Sequence, residues 1–162
     1  MKKIIFLSVL VLLGCDSTIS NDSSPEEVIE VLTQNYNHNK ESFAEMIEYY
    51  KENGELTREQ TMLCFGDSIP LEYETACNLH EITRTYLATN NNNSWFFPTF
   101  DNRKDGFLYD YFYLYNESNE VLPECKVEEP DKRSKSSTCY IPLNKDWYIG
   151  FSYFAIENNF PG

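Results

Sequence analysis

Few side chains in this 162-residue sequence have the chemistry to catalyse or to bind a metal: two histidines, five cysteines and 26 acidic residues. A histidine can exchange a proton near neutral pH, which makes His38 and His80 the candidate bases. His38 lies in a polar stretch between two helical segments and His80 at the start of what reads as a strand, so a solvated or capping role is expected of each. Paired carboxylates can share acid and base work when they face each other across a cleft. Glu26-Glu27, Glu72 with Glu74, and Glu128-Glu129 are instead expected to be solvated surface. Asp110 stands among aromatic residues; facing inward it would need a partner or a raised pKa, and the outward, solubilising position is preferred. In "DNRKDG", Asp101, Asp105 and Gly106 match EF-hand positions one, five and six, but Arg103 and Phe112 stand where oxygen ligands belong, so a turn is expected. No nucleophile elbow, phosphate-cradling glycine loop or zinc-protease helix occurs. Cys64, Cys77, Cys125 and Cys139 include no CxxC pair and no histidine at ligand spacing, so neither a metal nor another cofactor is expected. The chain therefore reads as non-enzymatic, with an unrecognised acid or histidine site as the enzymatic alternative.

The elements that would position these residues divide into a helical front and a strand-rich back. "SSPEEVIEVLTQNY" opens with a capping box, Ser24 at the cap, Pro25 at the first helical position and Glu27 at the third. Val28, Leu32 and Tyr36 form its apolar stripe. Phe43, Met46, Ile47 and Tyr50 continue at helical spacing up to Asn53-Gly54, a C-cap pair, and "TREQTMLCF" suggests a third short helix. From about Leu79 the period changes: "LHEITRTYLA" reads as a strand, "WFFPTF" as a short edge strand broken by Pro98, and "DNRKDG" as the next turn. "GFLYDYFYLYN" alternates most strictly, with Phe107, Tyr109, Tyr111, Tyr113 and Tyr115 on one face and Leu108, Asp110, Phe112 and Leu114 on the other. A charged excursion up to Cys139 reads as a protruding loop, and "YIPL" and "WYIGFSYFAI" close the chain as strands. The expected class is α+β: N-terminal helices packed on an antiparallel β-meander, with two disulfides.

The first fifteen residues carry a different kind of signal. Lys2 and Lys3 precede an apolar run, Ile4 to Leu13, which ends in Leu12-Leu13-Gly14-Cys15. Ten helical residues span about 15 Å, half the hydrocarbon thickness of a bilayer, so an export signal is expected rather than a membrane span. Charge, apolar run, small residue and Cys in this order resemble the lipobox of bacterial lipoproteins. The resemblance implies that Cys15 receives a diacylglycerol, that the chain is cut before it, and that its new amino group is acylated. Two or three acyl chains give stable anchoring where one is marginal. The same resemblance implies that Asp16 behind the Cys favours inner-membrane retention over the outer membrane. The expected organisation is a signal peptide over 1–14, a lipidated Cys and flexible tether over 15–24, and an α+β domain over 25–162. With Cys15 set aside, an even four cysteines remain for an oxidising compartment, and the local pairs Cys64–Cys77 and Cys125–Cys139 are expected.

Net charge narrows the choice of partners. The formal charge is −13, and cleavage before Cys15 would remove Lys2 and Lys3 and no acid, leaving −15. Such a surface does not suit nucleic acid, nor electrostatic attachment to anionic lipid. It suits solubility, or a basic protein partner reached by electrostatic steering. The leading functional expectation is a periplasm-facing, membrane-anchored interaction module, in the manner of an immunity-like inhibitor of a basic partner. A small-molecule binder with an aromatic cleft between helices and sheet is the alternative.

Overall fold

The computed structural model describes residues 19–86, 88–91, 93–118, 121–125 and 136–156. Residues 1–18, with Cys15, and half of the charged excursion lie outside these residues. Four helices, α1 (Pro25–His38), α2 (Lys40–Asn53), α3 (Arg58–Leu63) and α4 (Glu74–Thr83), precede five strands, β1 (Thr89–Asn91), β2 (Ser94–Lys104), β3 (Phe107–Asn116), β4 (Ser136–Pro142) and β5 (Trp147–Ala155). The chain is α+β: helices against one antiparallel sheet, with disulfides Cys64–Cys77 and Cys125–Cys139.

The first helix starts where its capping box directs. The Ser24 hydroxyl accepts from the Glu27 N–H at 3.3 Å, and the Ser24 N–H donates to the Glu27 carboxylate at 2.7 Å. A second box, Thr57 with Gln60, starts α3. The helix α2 ends at Gly54, whose φ of 76° favours glycine and whose N–H donates to the Tyr50 carbonyl. Val28, Leu32, Tyr36, Phe43, Met46, Ile47 and Tyr50 are all buried, as the helical stripes require. The Phe43 ring is a hub of the core, with ring centroids 4.6 Å from Tyr113, 5.0 Å from Tyr36 and 5.1 Å from Trp147.

In β3, Tyr109, Tyr111 and Tyr113 are buried on the helix side and Phe107 and Tyr115 are half-buried on the same face. The turn to β3 is tighter than "DNRKDG" suggests. Asp101 to Lys104 belong to β2, and only Asp105 (φ 52°) and Gly106 (φ 83°) form the loop, the two-positive-φ geometry that a twisted hairpin prefers. Pro98 lies beyond the reach of β1, which covers β2 only as far as Phe96, but the edge is not open there: the Tyr86 N–H donates to the Pro98 carbonyl at 2.8 Å.

Two expectations are corrected. "LHEITRTYLA" is not a strand: α4 runs through Thr83, and Arg84 closes it in the left-handed region at φ 54°. Ala76, Leu79, His80 and Thr83 are buried at helical spacing, and the Thr83 hydroxyl donates to its own helix's Leu79 carbonyl at 2.6 Å. The sheet order is β1-β2-β3-β5-β4 rather than that of a simple meander. The excursion after β3 lets the chain return outside the place that β5 fills, so β5 pairs with both β3 and β4. Before it leaves the described residues, this excursion lays Pro123 to Cys125 parallel to β4. The Cys125 N–H donates to the Tyr140 carbonyl at 3.1 Å and the Tyr140 N–H to the Pro123 carbonyl at 2.9 Å.

Candidate functional site

Two features stand out on the folded chain, a cleft and an acidic helix face. The cleft, of about 520 Å³, opens between α1, α4, the segment after α3 and β2. Val31 and Leu32 from α1, Phe65 and Ile69 from the disulfide-closed segment, and Phe100 from β2 give it apolar walls. The Cys64–Cys77 bond fixes the segment after α3 to the start of α4, which keeps the wall in place. The less exposed polar side chains of the wall, Asn35, His80, Thr85 and Thr99, already have partners. The Asn35 amide donates to the Thr83 carbonyl at 2.8 Å, and the Thr99 hydroxyl to the Tyr111 carbonyl at 3.0 Å. A guest without many hydrogen-bonding groups fits such a wall best, because a polar guest would lose water and gain little. Glu81 and Arg84 stand exposed at the mouth.

His80 is neither solvated nor at the start of a strand. It is buried on α4, with Nε2 hydrogen-bonded to the Tyr50 hydroxyl and Nδ1 2.8 Å from the Thr85 hydroxyl. Burial holds its pKa down to about 4, so the ring is neutral at physiological pH. With both nitrogens engaged inside the core, it joins α2 to α4 and to the turn after α4. His38 is exposed at the last position of α1, its Nδ1 2.7 Å from the Gln34 carbonyl, a helix-end contact.

Asp110 is half-buried on the outer face of the sheet, opposite Asp101 on β2. Burial first, and then the Asp101 charge, raise its pKa above the usual carboxylate range. Glu26, Glu27, Glu72 and Glu74 are exposed, and Glu128-Glu129 lie outside the described residues. Among the described residues, no group of three or more His, Cys, Asp or Glu side chains is placed to hold a metal ion. No described helix is long and apolar enough to cross a membrane.

The chain matches no known protein-family model, no curated protein and no solved structure.

The acidic face lies on α2. Glu41, Glu45, Glu48 and Glu52 are exposed at intervals of four, three and four residues, which places them on one side of the helix over about 17 Å. Lys51, the basic residue within this stretch, bonds to Glu117 beyond β3 and lies 3.8 Å from Glu48. Glu117 holds the Lys51 ammonium in its charged form, and Lys51 in turn lowers the Glu117 pKa. The four carboxylates follow from the same periodicity that gave the α2 apolar stripe. The cleft could not be read that way, because its walls come from four separate segments.

Proposed function

We propose that this chain is a cell-envelope lipoprotein, anchored through acyl groups on Cys15 to a membrane facing the periplasm, the inner membrane in preference to the outer. Its folded part is a non-enzymatic interaction module for a basic protein partner, as an immunity-like inhibitor would be. The observation that carries the partner assignment is the acidic face of α2, four exposed carboxylates in register with the nearby Lys51 drawn toward Glu117. The lipobox-like start and the excess of acidic residues support the same reading. Opposed charges across an interface speed encounter and exclude like-charged competitors, and they are screened beyond about 10 Å at 0.1 M salt.

The test is capture on the disulfide-bonded chain from Asp16 onward, followed by elution with rising salt. A basic protein that leaves at moderate salt, and is not captured by the variant with Glu41, Glu45, Glu48 and Glu52 all changed to Gln, supports the reading. Capture that is insensitive to salt and to the four substitutions overturns it.

A second reading rests on the cleft, whose apolar walls and satisfied polar groups suit a small apolar ligand. Thermal stabilisation by an apolar compound, lost on Leu32→Trp within the wall, would favour it. An unchanged melting temperature across a panel of such compounds would count against it.

A further inference from the structure

Within the span expected to be a flexible tether, 15–24, the chain is packed and hydrogen-bonded from Ile19 onward. Ile19 is half-buried against the core and forms part of the cleft wall beside Phe65 and Ile69. Directly after it, the Ser20 N–H donates to the Ser23 hydroxyl at 3.1 Å and the Ser23 N–H to the Ser20 carbonyl at 3.1 Å, closing a turn ahead of the Ser24 cap. Only four peptide steps then separate Cys15 from the cleft, a reach of at most about 14 Å. The headgroup layer of one leaflet is itself roughly 5–8 Å thick.

The region at the end of this short reach is unusually apolar for an exposed surface. Met62, Leu63, Phe65, Ile69 and Leu71 are exposed, at 62%, 39%, 65%, 38% and 85%. They fall within ten residues and make up half of the ten bulky apolar side chains that stand exposed among the described residues. Tyr86, at 51% exposed, lines the same cleft. Exposed apolar groups concentrated in this way mark an interaction site. An aromatic residue with a polar tip, such as Tyr86, is at home at the level of lipid headgroups.

We infer that the cleft-mouth face, with Phe65, Ile69 and Tyr86, rests on the lipid bilayer to which Cys15 is anchored. The inference deepens the lipoprotein reading and depends on it, since it is the three-residue link from Cys15 to Ile19 that brings this face to the membrane. Asp67, exposed between Phe65 and Ile69, and Glu81 at the mouth outnumber Arg84, the base there, so insertion is shallow and weaker on anionic than on neutral lipid. The lipid supplies the affinity and the apolar face supplies the orientation. α2 contributes no side chain to the cleft wall, so its acidic face remains open to a partner.

The test uses the chain lipidated in bacterial cells, purified, and reconstituted into phosphatidylcholine vesicles whose acyl chains carry bromine, a quencher of tryptophan emission. Two variants are compared, Phe65→Trp on the proposed face and Ala44→Trp on exposed α2. The native Trp95 and Trp147 are buried and provide the same background in both. The mass of the intact chain reports whether Cys15 carries lipid, and circular dichroism whether each variant is folded. The expected result is a loss of added emission for Phe65→Trp in brominated vesicles and none for Ala44→Trp. Equal quenching of both, or of neither, in a lipidated chain overturns the orientation and leaves the lipoprotein reading standing. A chain whose mass shows no lipid on Cys15 overturns both.

Discussion

The Tyr50 hydroxyl and the His80 imidazole meet in the core, and through them α2 is tied to α4. Thr85 completes the arrangement on the other ring nitrogen, and Thr83 lies 3.1 Å from Thr85 and 3.5 Å from the Met46 sulfur. The network is polar but internally satisfied, so it fixes the relative placement of two helices that apolar packing alone would leave free to slide. That placement also sets one wall of the cleft.

This histidine makes folding sensitive to pH in a definite window. Its pKa is about 4 in the folded chain, against an ordinary 6.5. Between these values the unfolded chain binds a proton that the folded chain does not, so stability falls as the pH drops through the window. The full effect is about 3 kcal/mol at pH 4 and disappears above pH 7. Urea unfolding at pH 7 and pH 4.5 is expected to show a smaller pH dependence for His80→Gln than for the native chain. Equal dependence would remove His80 as its source.

A second pH effect has the opposite sign. Asp110 and Asp101 face each other across β2 and β3, and the folded pKa of Asp110 is raised. For a carboxyl group raised on folding, stability is lost as the pH rises through the folded pKa. Replacing Asp110 by Asn removes the charge and keeps the shape. The variant is expected to be more stable than the native chain at pH 7 by about 0.2–1 kcal/mol, an advantage that shrinks on acidification as Asp110 takes up its proton. A destabilised Asp110→Asn at pH 7 would mean that the ionised group makes a favourable contact.

How much of this was legible in the sequence depended on whether the signal was local. The β3 alternation and the Ser24 capping box depend on neighbours a few positions away, and both elements formed as read. The strand reading of α4 fails because Thr and branched residues favour strands only on average, while burial at Ala76, Leu79, His80 and Thr83 is decided by packing against α2. The spacing of these four residues was a helical signal in plain view. Strand order was not legible, because the place of β5 between β3 and β4 is a relation between distant segments. A cleft between helices and sheet was an expectation, but the residues that line it were hidden for the same reason, and so was the place of Ile19.

The two disulfides should differ in what they hold. Each closes a short loop, 13 and 14 residues in sequence separation, and removing either should reduce stability by roughly 3 kcal/mol. Only Cys125–Cys139 fastens Pro123 to Cys125 against β4. In the Cys125→Ser, Cys139→Ser double variant, hydrogen exchange at the Tyr140 and Cys125 amides is expected to speed up while β3 stays protected. In the Cys64→Ser, Cys77→Ser variant the loosened amides should be those of α3 and of the start of α4. Identical exchange patterns in the two variants would show that neither bond acts locally.

Gly150 is the position where one added methyl group has a single obstacle. On β5 it lies directly opposite Phe112 of β3, and a Cβ built there would sit 2.2 Å from two carbons of the Phe112 ring. The ring covers the glycine on the outer face of the sheet, within 6.2 Å of Tyr140 and 5.6 Å of Phe96. Gly150→Ala must therefore push the ring aside, and an overpacked site of this kind costs about 1–3 kcal/mol. Since the obstacle is a side chain, shortening it should restore the space. Phe112→Leu alone loses packing, but in the double variant the two losses should fall short of additive by at least 0.5 kcal/mol. Strictly additive unfolding free energies would show that the alanine is resisted by the β5 backbone instead of by Phe112.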